Sequence, residues 1–277
     1  MKVAYLGTSA FAAGILTRLA DSPHRPVLAV TRPDRPAGRG RRLSPPPVAE
    51  AARELGLELD QPEAVNGDEA RARIAASGAE VVVVCAFGAL IREPLLSDFA
   101  VLNVHPSLLP RWRGAAPVER AIMAGDEQTG VCIMRLTAGL DEGPVCRRGV
   151  EPIAPDDTYG TLAERLERLG GDLLLDALDA GPAGWAWEEQ PADGVTYADK
   201  IGPGDRTLDP SASGAEQERV VRALAPHIGA RMELEDGSLL GVRQARLGTR
   251  GELVPEEVLP PGGKPMGWAA YLRGRST

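Results

Sequence analysis

Four consecutive valines at positions 81–84 constrain this chain more than any other feature. They are β-branched and apolar throughout, so a strand built from them has no polar face to turn to water. Such a strand must be covered on both sides, as in the centre of a sheet layered with helices. The surrounding pattern agrees. Lys2-Val3-Ala4-Tyr5-Leu6 before Gly7 predicts a first short strand, and Phe11, Ile15, Leu16 and Leu19 recur at helical spacing after it. Further strands are predicted at residues 26–31, 57–61 and 101–105, with helices at 50–55 and 68–77. This alternation implies right-handed βαβ units, a mostly parallel α/β sheet, and a site beyond the carboxyl ends of its strands.

Aromatic residues are only 4% of the chain, so Val, Leu, Ile and Ala must build the core. With 31 Lys and Arg against 39 Asp and Glu the net charge is −8, which argues against non-specific nucleic-acid binding by the surface as a whole. A local basic stretch remains: Thr31-Arg32-Pro33-Asp34-Arg35-Pro36-Ala37-Gly38-Arg39-Gly40-Arg41-Arg42-Leu43 holds five arginines against one aspartate and reads as an exposed cationic loop. The apolar run at 81–91 is too short to span a bilayer. The start, Met1-Lys2 running into Gly7, reads as a strand and not a signal peptide. Three cysteines, Cys85, Cys132 and Cys146, form no CxxC pair; they read as reduced thiols of a cytoplasmic protein with no metal site.

Asp156-Asp157-Thr158 offers caps for a helix carrying Tyr159, Leu162, Leu166, Leu169 and Leu173 on one stripe. The composition then turns to Gly, Pro, Trp and polar residues. We read residues 1–184 as one domain, 185–204 as a linker and 205–277 as a small second domain. That last part has hairpin character, with a turn at Asp236-Gly237 between Arg231-Met232-Glu233-Leu234 and Leu239-Leu240-Gly241-Val242.

The chemistry sits in Leu102-Asn103-Val104-His105-Pro106-Ser107-Leu108-Leu109-Pro110-Arg111-Trp112-Arg113-Gly114. Residues two apart on a strand share a face, so Asn103 and His105 point together at the strand's carboxyl end. An amide donor suits a developing oxyanion, and an imidazole suits proton transfer near neutral pH. Gly139-Leu140-Asp141-Glu142-Gly143-Pro144 is a turn that can present a carboxylate, Asp141, to orient His105 or relay protons. By themselves these residues also fit structural duties, with His105 capping a turn before Pro106 and Asp141 as an ordinary turn residue.

The longer string resembles the signature of the folate-dependent formyltransferases: Asn103-Val104-His105-Pro106-Ser107-Leu108-Leu109-Pro110, then Arg113-Gly114-Ala115-Ala116-Pro117, Gly130-Val131, Ile133-Met134 and Gly139-Leu140-Asp141. The resemblance implies a Rossmann-like formyltransferase domain with Asn103, His105 and Asp141 as the catalytic trio. It implies a tetrahydrofolate contact at Ser107, Leu108, Leu109 and Pro110, and a pterin-pocket wall that includes Phe87, Gly88 and Leu90. The arginine stretch is similar to the basic insertion of the methionyl-tRNA formyltransferases, which implies tRNA contact by Arg39, Arg41 and Arg42. The expectation is formyl transfer from 10-formyltetrahydrofolate to the amino group of methionyl-initiator-tRNA by a monomer without metal.

The match departs in the second domain. In the family this is a small β-barrel of the oligonucleotide-binding type that serves as the tRNA-binding part. Here roughly two of its strands are missing between Leu247 and Lys264, which predicts an incomplete barrel. Ala225-Pro226-His227-Ile228-Gly229 replaces a Pro-Trp-Pro-like turn, and His227 reads as structural. Two rivals stay open: a formyltransferase acting on an amino-sugar nucleotide, which the arginine stretch disfavours, and a non-catalytic RNA- or folate-binding relative, which the retained trio disfavours.

Overall fold

The computed structural model describes residues 1–37 and 42–275. Val3–Gly7 (β1) is buried throughout and leads into Ala10–Ala20 (α1), whose cap Ser9 accepts the Ala12 N–H at 3.2 Å. Leu28–Val30 (β2), Arg35–Ala37 (β3), Arg42–Ser44 (β4), Pro47–Glu54 (α2), Leu59–Asp60 (β5) and Asp68–Ala76 (α3) follow. Val81–Cys85 (β6), Leu95–Asp98 (α4) and Ala100–His105 (β7) come next, with all five residues of β6 buried as the valine run requires. Then come Arg113–Gly114 (β8), Pro117–Ala124 (α5), Gln128–Arg135 (β9), Val145–Pro152 (β10), Tyr159–Ala180 (α6), Tyr197–Ala198 (β11) and Gly214–Leu224 (α7). The chain ends with Ala230–Glu233 (β12), Leu239–Leu247 (β13), Leu253–Leu259 (β14), Met266–Gly267 (β15) and Trp268–Arg275 (α8).

One sheet has the order β10-β9-β7-β6-β1-β2-β5. β1 pairs in parallel with β2 and β6, β6 with β7, and β2 with β5, whereas β9 runs antiparallel to β7. The mostly parallel sheet expected from the sequence is therefore present. From β1 the chain builds outward to β2 and β5, then returns to build β6 and β7 on the other side. That reversal falls between β1 and β6, and the carboxyl ends flanking such a switch are where sheets of this kind place their ligands. Thr8, just past β1, joins the two strand ends by donating its hydroxyl to the Phe87 carbonyl at 2.7 Å.

Two local readings shift. The basic stretch is bracketed by a hairpin, with Arg35 opposite Ser44 and Ala37 opposite Arg42, where a loop was expected. Pro33 and Pro36 hold the preceding residues extended, so pairing is the available backbone partner. On α6, Leu162, Leu166, Leu174 and Leu178 are buried, whereas Leu169 and Leu173 are half-buried. The glycine pair 170–171 turns that stripe: a Cβ on Gly170 would sit 3.2 Å from Val104 and 3.3 Å from Ile15, so the helix lies close on the sheet there.

The chain divides into two compact units, one of residues 1–115, 130–151 and 164–197, the other of 116–129, 152–163 and 198–277. The second unit holds the antiparallel sheet β12-β13-β14-β15 and a core of Leu208, Val221, Leu224, Ala230 and Val242, with Met123 and Ile228 packed on it. α7 begins at a reciprocal cap, Ser213 with Glu216. β13 passes to β14 through a hairpin that pairs Leu247 with Leu253. The four strands make a small, open, barrel-like sheet. Among the described residues no helix is long and apolar enough to cross a membrane.

Candidate active site

Alternation along β7 puts Asn103 and His105 on one face, both buried, beside Met134 and Cys132 of β9. The His105 Nε2 lies 2.9 Å from the Trp112 carbonyl. A carbonyl only accepts, so Nε2 carries the hydrogen and Nδ1 of the neutral ring carries the lone pair. Asp141 Oδ2 stands 3.6 Å from that Nδ1, and Asp141 Oδ1 accepts from the Asn103 amide at 3.5 Å. The carboxylate itself is fixed by the Gly114 N–H, which donates to Oδ2 at 2.8 Å. The ring is thus oriented by a backbone carbonyl, and the carboxylate faces the nitrogen that is free to exchange a proton.

The loops that carry these groups are strained at the points of contact. Ala86, Trp112 and Asp141 have φ of 41°, 63° and 47°, in the left-handed region. A residue with a Cβ pays roughly 1–2 kcal/mol there, so surrounding contacts must impose the shape. The contacts around Trp112 are plain. Its N–H donates to Thr196 Oγ1 at 2.9 Å, Arg113 N–H donates to the Thr196 carbonyl at 2.9 Å, and Ser107 Oγ donates to the Arg111 carbonyl at 2.6 Å. Gln190 serves the Asp141 turn. Its amide nitrogen donates to the carbonyls of Asp141 (2.7 Å) and Gly143 (2.8 Å), and its oxygen accepts from Arg113 Nε (3.0 Å) and Nη2 (2.8 Å). Burial pushes the thiol of Cys132, level with His105 on β9, up, so it is a neutral wall of the site.

The formyl transferase family matches residues 1–178. A methionyl-tRNA formyltransferase of Halorhodospira halophila is 43% identical across 99% of this chain and 96% of its own length. That of Dechloromonas aromatica is 49% identical across 83% of this chain and 75% of its own. The chain belongs to the methionyl-tRNA formyltransferase family. Among solved structures, the Clostridium thermocellum methionyl-tRNA formyltransferase superposes with a TM-score of 0.66 at 12% identity, covering 96% of this chain and 99% of that one. A sugar N-formyltransferase from Shewanella sp FDAARGOS_354 gives 0.65 at 20%, covering 90% and 99%. At these identities the likeness is one of fold.

For a member of the methionyl-tRNA formyltransferase family, the other residues singled out in the sequence fall as follows. Ser107 and Leu109 are buried, Ser107 in the internal bond above and Leu109 against Cys132, Met134 and Val145; Leu108 and Pro110 are half-buried. Phe87 packs its ring into the core, so this segment offers Gly88 and Leu90 outward, with Leu90 62% exposed. Leu140, beside Asp141, is 50% exposed and adds a second uncovered apolar side chain. Arg39 and Arg41 lie outside the described residues, as does the side chain of Arg42. Gln190 and Thr196 were missed because their segment carries neither hydrophobic period nor motif, and the Trp112 carbonyl because a backbone acceptor has no side-chain signature. His227 stacks on Tyr159 at 3.8 Å and meets Glu119 at 3.0 Å, contacts that hold the second unit together.

Proposed function

We propose that this chain transfers the formyl group of 10-formyltetrahydrofolate to the amino group of methionyl-initiator-tRNA. The observation that carries this reading is the convergence of Asn103, His105 and Asp141 at the carboxyl end of β7. The neutral amine attacks the formyl carbon, and negative charge collects on the formyl oxygen. The Asn103 amide donates to that oxygen. The lone pair at His105 Nδ1 takes the proton from the attacking nitrogen and returns it to N10 of the departing tetrahydrofolate, so no proton is lost or gained overall. Asp141 faces the same Nδ1 and stabilises the transient imidazolium, while the Trp112 carbonyl keeps the ring in place.

The donor's flat pterin ring needs apolar contact, and Gly88, Leu90 and the Ser107–Pro110 loop supply it beyond the carboxyl ends of β6 and β7. Arg39, Arg41 and Arg42 grip the acceptor arm of the tRNA, a task suited to guanidinium groups, and residues 205–277 serve as the tRNA-binding-type domain. Charge reversal at Arg39 and Arg41 should weaken tRNA binding and spare folate binding; equal loss of both would reject that assignment.

The deciding assay uses labelled 10-formyltetrahydrofolate with charged initiator Met-tRNA, charged elongator Met-tRNA and free methionine. Labelled product on the initiator tRNA alone is expected. Folate binding without transfer to any tRNA would reject the reading and direct the search to amino-sugar nucleotides.

A further inference from the structure

We propose that Gln190 is a positioning residue for the formyl-transfer centre, setting the Asp141 carboxylate through the backbone of its turn. The proposal rests on the catalytic reading of Asp141.

The side-chain amide of Gln190 makes every hydrogen bond that a primary amide can make: two donated to the Asp141 and Gly143 carbonyls, two accepted from Arg113. Its orientation is unambiguous, because carbonyls only accept and a guanidinium only donates. One side chain therefore joins the two segments that must stay in register. The Arg113–Gly114 segment supplies the N–H that fixes the Asp141 carboxylate and follows the carbonyl that fixes His105. The 141–143 turn supplies the carboxylate. Asp141 holds φ at 47°, in the left-handed region, so the contacts of its turn decide how firmly it stays there. The restraint closest to it is the Gln190 bond to its own carbonyl. Because Asp141 lies 3.5 Å from Asn103 and 3.6 Å from His105, a small shift of the turn changes both contacts at once.

Gln190→Glu separates this role from simple packing. It keeps the size and an acceptor for Arg113, but sets an oxygen against two carbonyl oxygens and so breaks only the side toward the turn. Gln190→Met, similar in length and without polar atoms, is the second variant should the first fold poorly. For either, kcat is expected to fall about 10- to 100-fold, the range of a catalytic group displaced by about 1 Å, with folate KM within about twofold. In an Asp141→Ala background the same substitution should cost less than about threefold, since the group it positions is gone. Amide hydrogen exchange at Gly114, whose N–H is held by the carboxylate, should quicken while Tm changes little. The Gly114 readout does not depend on turnover, so it decides the point even if the wild-type chain transfers no formyl group and the functional reading fails. Unchanged kcat, effects that multiply fully with Asp141→Ala, or unchanged Gly114 exchange would each overturn the proposal.

Discussion

A histidine whose Nε2–H is committed to a backbone carbonyl can exchange a proton only through Nδ1, and in His105 that atom faces Asp141. Removing the ring or the amide beside it should therefore slow the chemistry and leave the scaffold intact. His105→Ala and Asn103→Ala are each expected to lower kcat by about 10²- to 10³-fold, measured by single-turnover transfer with circular dichroism to check folding. Near-normal turnover in both would remove them from the mechanism. A second residue-scale expectation concerns the buried thiols. Burial raises Cys85 from 9.0 to about 12, and Cys146 to about 11. The folded chain keeps these protons at pH values where the unfolded chain releases them. Stability from this source is thus complete below pH 9.0 and declines as pH rises toward 11 and 12. Tm should drop steadily across that alkaline range, and Cys85→Ala should make the decline shallower; an unchanged slope would show that the thiol does not govern it.

At the scale of elements, the turn from Gly139 to Pro144 shows how tightly the site is built. A Cβ on Gly143 would sit 2.0 Å from the Arg135 carbonyl, so Gly143→Ala must move either the turn or the end of β9. Transfer should fall at least about 10-fold through displacement of Asp141, read as kcat beside the folate dissociation constant; full activity would mean the turn has slack. Elements of this kind were legible when a period or a breaker announced them. The valines of β6 fix a central strand, alternation fixes the shared face of Asn103 and His105, and glycines with Pro144 mark the Asp141 turn. Gln190 and Thr196 were not legible, because their partners lie 47 to 84 residues away and the segment carries neither period. Its Gly, Pro and polar composition resembles a linker, yet Trp185 is buried there with its indole N–H on the Ala177 carbonyl at 2.7 Å. The hairpin around the arginines was hidden for another reason, since three-residue strands are too short to show an alternating period.

On the scale of the whole molecule, chain order and compact units do not coincide. Residues 116–129 and 152–163 lie among the catalytic motifs in sequence but pack with 198–277. Met123 rests on the Val221 and Leu224 core, its carbonyl accepts from Arg219 at 3.1 Å, and the Asp157 carbonyl accepts from Arg222 at 2.7 Å. His227 adds its stack on Tyr159 and its contact with Glu119. A chain stopped after residue 204 would therefore expose the apolar side of α5 and take the Arg219 and Arg222 donors from two part-buried carbonyls, at up to about 1–3 kcal/mol each. Such a chain is expected to aggregate or melt at lower temperature, and to lose folate affinity along with transfer. The arginine charge reversals should do neither, since they touch only acceptor binding. Thermal melts and folate titrations of both proteins distinguish the cases. A truncated chain with full-length Tm and folate affinity would mean that 116–129 and 152–163 hold their shape unaided, and that residues 205–277 are a detachable tRNA handle.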